Sequence, residues 1–141
     1  MNDTINGPLN GPTNDEEMLR LVQSGLPPDQ LRTEVTRRLV QRAEAEEPEW
    51  GALLRAAAIP RRLDEGVVGA LRGALDDAQG NQAALQRLAG LSFVLPDPEG
   101  RSYALHEEVR AVLLADWQAP ERRARYVELS RALWEYFARG G

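Results

Sequence analysis

The 141-residue sequence contains no cysteine, and all 17 of its basic residues are arginine. Without cysteine the chain has no disulfide framework and no thiolate metal site, which fits a reducing compartment. Without lysine it has neither a Schiff-base nucleophile nor the lysine of a phosphate-binding P-loop. These two absences exclude enzymes that depend on a thiolate metal site, a Schiff-base lysine or a P-loop lysine.

Long apolar runs and histidine are scarce as well. No stretch approaches the ~18 consecutive apolar residues that suggest a membrane span, and the opening MNDTINGPLNGPTNDEE lacks the basic and apolar regions of a secretory signal. The single histidine, His106, has no partner cluster and is a poor metal ligand. We therefore expect a cytoplasmic protein with no membrane partner, no metal and no other cofactor.

Apolar and acidic residues, by contrast, are abundant. Hydrophobic residues make up 43% of the chain, and the formal net charge is −5. A chain of this length buries roughly two-thirds of its unfolded surface, so it can form a core without covalent staples. The acidic balance is unfavourable for non-specific nucleic-acid binding, which depends on neutralising phosphates.

The sequence divides into four segments. Residues 1–14 are mostly Asn, Gly, Pro and Thr, which bury too little to fold, and we predict a disordered tail there. We predict an N-terminal helical segment over 15–47, a globular domain over 48–118 and a C-terminal amphipathic helix over 119–141. The apolar residues of the helix that begins near Pro28 are Leu31, Val35 and Leu39.

Three helices are predicted in the first part of the globular domain. Pro48 begins the first helix, whose apolar stripe starts at Trp50. Asp64 is predicted to cap the second helix, and Asn81 the third. The residues expected on the core faces of the second and third helices are Val67, Val68, Leu71, Leu75, Ala84, Leu85, Leu88 and Ala89.

A β-hairpin is predicted after these helices. Apolar residues alternate at Phe93 and Leu95 and again at Tyr103 and Leu105, which is the period of a strand. Between them, Asp97-Pro98-Glu99-Gly100 has the residue preferences of a type I turn. Because an isolated hairpin is marginal in water, we expect this one to pack on the helices. The expected packing residues are Phe93, Leu95, Tyr103 and Leu105.

The last helix has a strong amphipathic repeat. Its expected core residues are Tyr126, Leu129, Leu133 and Phe137. Trp134 lies off this line, so we expect it to be partly exposed and to contact another protein, because tryptophan is enriched at interface hot spots. The fold class is therefore mainly α, a winged helix made of three helices and a hairpin wing, with flanking N- and C-terminal helices.

Residues 53–137 resemble the winged-helix segment of the STAND-class (NB-ARC-like) signalling ATPases, which include plant disease-resistance and apoptotic receptors and many bacterial relatives. The stretches that carry the resemblance are LLRAAAIPRRLDEGVVGAL, ALQRLAGLSFVLPDPEGRSYALHEEVRAVLL and PERRARYVELSRALWEYF. The resemblance implies a regulatory, non-catalytic role in a switch, or in an adaptor derived from one. This chain lacks the P-loop domain, so the implied partner is a protein or an adjacent ATPase domain.

His106 has two interpretations. In the STAND family a His-Asp pair after the second wing strand begins the next helix, and the histidine contacts the β-phosphate of ADP; the matching residues here are His106 and Glu107. A helix N-terminus suits an anion, but Glu107 and Glu108 already occupy the first turn. The alternative is that His106 caps the helix or fills a gap beneath the wing.

A winged helix can also read DNA with its third helix, and this is the alternative function, that of a transcriptional regulator. The candidate contacts are Gln82, Gln86, Arg87 and, in the wing, Arg101. Arg61 and Arg62 are candidates for a partner or anion site. The sequence has no nucleophile elbow, metal-ligand spacing or phosphate loop, so we predict that the protein is not an enzyme.

Overall fold

The computed structural model describes residues 19–20, 23 and 25–140. The predicted tail over 1–14 lies outside these residues, as does part of the predicted segment over 15–47. Two compact units divide the chain between Leu39 and Val40. The predicted boundaries at 47/48 and 118/119 remain predictions.

The described residues are mainly helical, with one two-stranded antiparallel sheet. The helices and strands, in chain order, are α1 (Pro28–Glu46), α2 (Pro48–Ala56), α3 (Glu65–Arg72), α4 (Ala78–Ala89), β1 (Val94–Pro96), β2 (Tyr103–Leu105), α5 (Glu107–Trp117) and α6 (Arg123–Ala138). A short 3-10 helix, Pro120–Arg122, precedes α6. The predicted order of helices and hairpin from Pro48 onward is thus confirmed.

Helix α3 begins as the sequence predicts and ends earlier. The Asp64 carboxylate accepts the Val67 N–H at 2.8 Å, which confirms the predicted cap. Gly73 then adopts the left-handed conformation (φ 66°) that ends the helix. Leu75 consequently lies beyond α3 and is 46% exposed, so its assignment to the core face was wrong.

Helix α4 begins three residues before the predicted cap. The side chain of Asp77, rather than that of Asn81, accepts a helical N–H, that of Gly80 at 3.1 Å. Asn81 is 2% exposed inside the helix and donates to the Ala74 carbonyl at 2.8 Å. A Cβ at Gly69 would lie 2.6 Å from the Asn81 amide nitrogen, so glycine lets this side chain enter the α3–α4 turn. The prediction for Asn81 was therefore wrong, because its side-chain amide instead satisfies the part-buried Ala74 carbonyl.

The hairpin is confirmed, but one of its faces was misassigned. Val94 pairs with Leu105, and both are buried on the face that contacts the helices. Side chains alternate along a strand, so this register turns Leu95 outward, where it is 48% exposed. The prediction that Leu95 packs inward was wrong, whereas Phe93 and Tyr103 are half-buried and pack against the core.

The hairpin turn is held by Asp97. The Gly100 N–H donates to the Asp97 carbonyl at 3.0 Å, and the Arg101 N–H donates to its carboxylate at 2.9 Å. Burial raises the pKa of Asp97, but these and further hydrogen bonds from Ser102 outweigh it, so the pKa lies below its usual value. The folded state thus favours the ionised carboxylate, and this stabilisation is lost as the pH falls through the lowered pKa.

A single bridge joins the hairpin to the segment before α3. The Leu63 N–H donates to the Tyr103 carbonyl at 2.7 Å, and the Tyr103 N–H donates back to Leu63 at 2.9 Å. Leu63 is 1% exposed. The hairpin is therefore held against the rest of the unit in two ways. Backbone hydrogen bonds join it to the segment before α3, and apolar contacts pack it on the helices.

The core of residues 40–141 is built from all the helices of this unit and from both strands. Its largest fully buried side chains are Leu54, Leu63, Leu88, Leu113, Val40, Val67 and Val68. Leu39, part of the apolar repeat of the predicted helix that begins near Pro28, is 40% exposed. Phe137 is 51% exposed, so the prediction that it lies in the core was wrong. Next to each of them a neighbour is the more buried residue, fully for Val40 and partly for Tyr136.

A buried ion-pair network crosses this core. The Arg55 side chain, 3% exposed on α2, donates to both carboxylate oxygens of Glu44 at 2.9 and 3.0 Å and to Asp116 at 3.0 Å. The Trp117 indole N–H donates to the Arg55 carbonyl at 3.0 Å. The hydrogen bond to Glu44 raises the pKa of Arg55 against the effect of burial, and Asp116 adds to the rise. Arg55 thus joins the end of α1, α2 and α5.

Substituting Arg55 with Ala should lower the free energy of unfolding by about 3 kcal/mol, because it leaves the carboxylates of Glu44 and Asp116 without their shared cation. The matched control is Arg125→Ala, which removes an exposed pair with Glu128 and should cost less than ~1 kcal/mol. Urea unfolding followed by circular dichroism measures both. Equal losses in the two variants would contradict the assignment of Arg55 as a core residue.

Candidate functional site

His106 lies at the junction of β2 and α5 and caps that helix. Its Nδ1 accepts the Glu108 N–H at 3.2 Å, and its own backbone N–H donates to the Phe93 carbonyl at 2.8 Å. The side chain is exposed. The capping interpretation therefore agrees with the structure, while the contact with a nucleotide phosphate stays a prediction.

The partial positive charge and the free N–H groups at the N-terminus of α5 already interact with side chains of the chain itself. Glu107 and Glu108 occupy the first turn, and His106 accepts one of the N–H groups that a bound anion would need. A phosphate at this position would have to compete with the imidazole and meet two carboxylates. The geometry thus favours a structural use of this helix end.

The residues predicted to read DNA have different environments on α4. Gln82 and Gln86 are exposed. Arg87 instead donates to both carboxylate oxygens of Glu47, at 2.8 and 2.5 Å, and its guanidinium lies 4.1 Å from the centre of the Trp50 ring. Arg87 is therefore held within the molecule by an ion pair and a cation–π contact. The hydrogen bond from Arg87 lowers the pKa of Glu47, which keeps this carboxylate ionised.

A cleft of about 520 Å³ lies beside this contact. Trp50, Leu53 and Leu71 contribute apolar surface, and arginines from three helices contribute charge. Each of these arginines has an acidic partner: Arg72 pairs with Asp77, Arg87 with Glu47 and Arg125 with Glu128. The lining contains no serine, cysteine or histidine, so it holds no Ser–His or Cys–His pair.

The remaining predicted contacts lie in loops. Arg61 and Arg62 are exposed just before Leu63, and Arg101 is exposed in the hairpin turn. The backbone N–H of Arg101 donates to the Asp97 carboxylate, whereas among the described residues no hydrogen bond or ion pair fixes its guanidinium. Arg61 and Arg62 lie in the segment between α2 and α3, and Trp134 lies on α6, so these predicted interface residues belong to separate elements.

The outer face of α6 carries the largest exposed aromatic side chain of the described residues. Trp134 is 71% exposed, which confirms the expectation that it lies off the core line. Val127 is 44% exposed on the same side of the helix as Trp134, and Phe137, 51% exposed, lies at the edge of this face, one turn after the buried Leu133. We call Val127, Trp134 and Phe137 the α6 stripe.

Sequence reasoning missed the arginines that hold the core together. Arg55 stands between Leu54 and Ala56 in an otherwise apolar run, and such a cation has to be paired when it is buried. Arg110 donates to the carbonyls of Ala58 and Ile59, at 2.9 and 3.2 Å, and so provides hydrogen bonds for these two backbone acceptors just after α2. The apolar neighbours of Arg55 are the signal that could have identified it.

Searches of the described residues for a metal site find no group of three or more His, Cys, Asp or Glu side chains that could hold an ion. None of the described helices is both long enough and apolar enough to cross a membrane. The chain matches no protein-family model, and comparisons with curated proteins and with solved structures give no significant match.

Substituting His106 with Ala should lower the free energy of unfolding by about 1 kcal/mol, because α5 loses its N-cap. His106→Asn, whose side-chain oxygen is a good capping acceptor, should restore most of the loss. Urea unfolding of the two variants beside the wild type measures the difference. Unchanged stability in the alanine variant would contradict a structural role and leave the nucleotide contact as the better interpretation.

Proposed function

We propose that this protein is a non-catalytic regulatory module that binds another protein, either within a STAND-type switch or as an adaptor derived from one. The observation that carries the proposal is the α6 stripe, in which Trp134 is 71% exposed. A soluble protein seldom exposes neighbouring large apolar side chains without an interaction that uses them. Tryptophan is also the residue most often found at interface hot spots.

A winged-helix arrangement of residues 48–118 is part of this proposal. It is supported by the order of three helices and a hairpin, by the tight α3–α4 turn at Gly73, and by the bridge between Leu63 and Tyr103. Through that bridge, the short segment that connects α2 to α3 lies beside the proposed wing. In this arrangement α6 packs against α3 through Leu129 and Leu133 and presents its opposite face outward.

The STAND assignment rests on the resemblance and on where His106 lies. The residue directly follows the second hairpin strand and begins the next helix, as the family pattern requires. Because this chain has no lysine, a P-loop ATPase domain in another segment or in another protein would supply the nucleotide pocket. Arg61 and Arg62, both exposed, are candidates for further contacts with that partner.

The proposal predicts that a P-loop ATPase encoded beside this chain binds it. Isothermal titration calorimetry of the two purified proteins should detect a complex that Trp134→Ala weakens at least tenfold, since a hot-spot residue contributes about 2 kcal/mol or more. Leu95→Ala, which removes an exposed apolar side chain from the hairpin, is the matched control and should leave the affinity unchanged. The absence of such an ATPase, or a complex whose affinity is unchanged by Trp134→Ala, would count against the proposal.

Sequence-specific DNA binding is the second candidate function, and the exposure of Gln82 and Gln86 on α4 favours it. The engagement of Arg87 with Glu47 and Trp50 opposes it. We expect no binding to a labelled mixed-sequence duplex at low salt, where the phosphate contribution is strongest, at protein concentrations up to about 100 µM. Fluorescence anisotropy measures this, and binding that weakens steeply with added salt would favour the DNA function instead.

A further inference from the structure

Two arginines extend the α6 stripe. Arg123 lies four residues before Val127, and Arg131 lies between Val127 and Trp134, at spacings that place residues on the same side of a helix. At 100° per residue, the stripe and both arginines fall within a sector of roughly 120°. Among the described residues neither arginine has a carboxylate within ion-pair distance, in contrast to Arg125 on the same helix, which pairs with Glu128.

The composition of this face points to a helical partner. Arg123, Val127, Trp134 and Phe137 repeat with the spacing that an α-helix presents to a second helix lying along it. The protein as a whole carries a net charge of −5, so two unpaired arginines on an apolar strip form a locally positive surface. The α6 carboxylates beside this face are those of Glu128, which pairs with Arg125, and Glu135, which lies four residues after Arg131 and roughly 100° around the helix from Trp134.

A second copy of the chain fits this surface poorly. In a parallel pair of α6 helices each Arg131 would face its counterpart. Arg131 is also near the middle of the segment 123–137, so an antiparallel pair in full overlap would bring the two copies of Arg131 within a turn of each other. Like charges placed opposite each other at an interface disfavour association.

We propose that the α6 stripe with Arg123 and Arg131 is a docking site for an amphipathic helix of a partner protein that carries acidic residues beside its apolar side chains. This inference rests on the proposed function and adds the chemistry of the partner. Trp134 and Phe137 contact the apolar side of the incoming helix. Arg123 and Arg131 pair with its carboxylates, which fixes the register and accelerates the encounter.

The test uses the full chain and two labelled synthetic helical peptides. The peptides share one apolar stripe and differ only in the flanking positions, which are glutamate in one and lysine in the other. Fluorescence anisotropy at low salt should show that the glutamate peptide binds about tenfold more tightly, with the difference shrinking at high salt as screening increases. Trp134→Ala should weaken binding of the glutamate peptide at least tenfold.

Charge reversal provides the matched control. Arg131→Glu should lower the affinity for the glutamate peptide about fivefold. Arg139→Glu changes the net charge equally at the residue that directly follows α6, roughly 140° around the helix axis from Trp134, so it should leave the affinity unchanged. Circular dichroism of both variants checks that the fold is retained.

Three results would overturn the inference: equal affinity for the two peptides, equal effects of Arg131→Glu and Arg139→Glu, or self-association of the chain that Trp134→Ala abolishes in sedimentation equilibrium. The inference and the proposed function fail separately. If the neighbouring ATPase binds through Trp134 while neither peptide is preferred, the inference of an acidic helical partner is wrong and the proposed function stands. If the ATPase does not bind at all, the proposed function itself is wrong.

Discussion

The ion pairs of the buried Arg55 guanidinium are the constraint on which the rest of residues 40–141 depends. A lone cation in an apolar core is prohibitively unfavourable, so the helices that carry its acidic partners have to lie beside α2. Glu44 comes from the end of α1, where a Cβ at Gly51 would lie 2.4 Å from the Glu44 backbone, and Asp116 comes from α5. The position of α5 in turn sets the position of the hairpin, because His106 joins β2 directly to that helix.

The same packing leaves the outer face of α6 without a partner among the described residues of its unit. Helix α6 packs against α3 so closely that a Cβ at Gly66 would lie 1.9 Å from the Tyr136 hydroxyl oxygen. Leu129 and Leu133 are buried by this contact, and the opposite side of the helix carries Trp134. An interaction surface on a helix that is itself packed into the core suits the proposed role, in which this protein holds a partner in a defined orientation.

Local signals in the sequence were enough to predict the hairpin, the Asp64 cap and the exposure of Trp134, because each depends on residues only a few positions apart. The errors arose at residues whose burial or hydrogen-bond partner depends on a residue in another element. The register against β2 places Val94 rather than Leu95 inward, and the carbonyl of Ala74 recruits Asn81 away from the predicted cap. The partners of Arg55 are 11 and 61 residues away, which no local periodicity can reveal. For His106 the sequence left two interpretations open, and the observed cap, a contact two residues along the chain, agrees with the structural one.

The most direct test of this account is a double-mutant cycle between Arg55 and Asp116. The free energies of unfolding of Arg55→Met, Asp116→Asn and the double variant are compared with that of the wild type by urea denaturation. If the ion pair joins α2 to α5, the two substitutions are strongly non-additive, with a coupling of about 2 kcal/mol. Additive effects, within ~0.5 kcal/mol, would mean that the two helices are held together without the pair and would contradict the account.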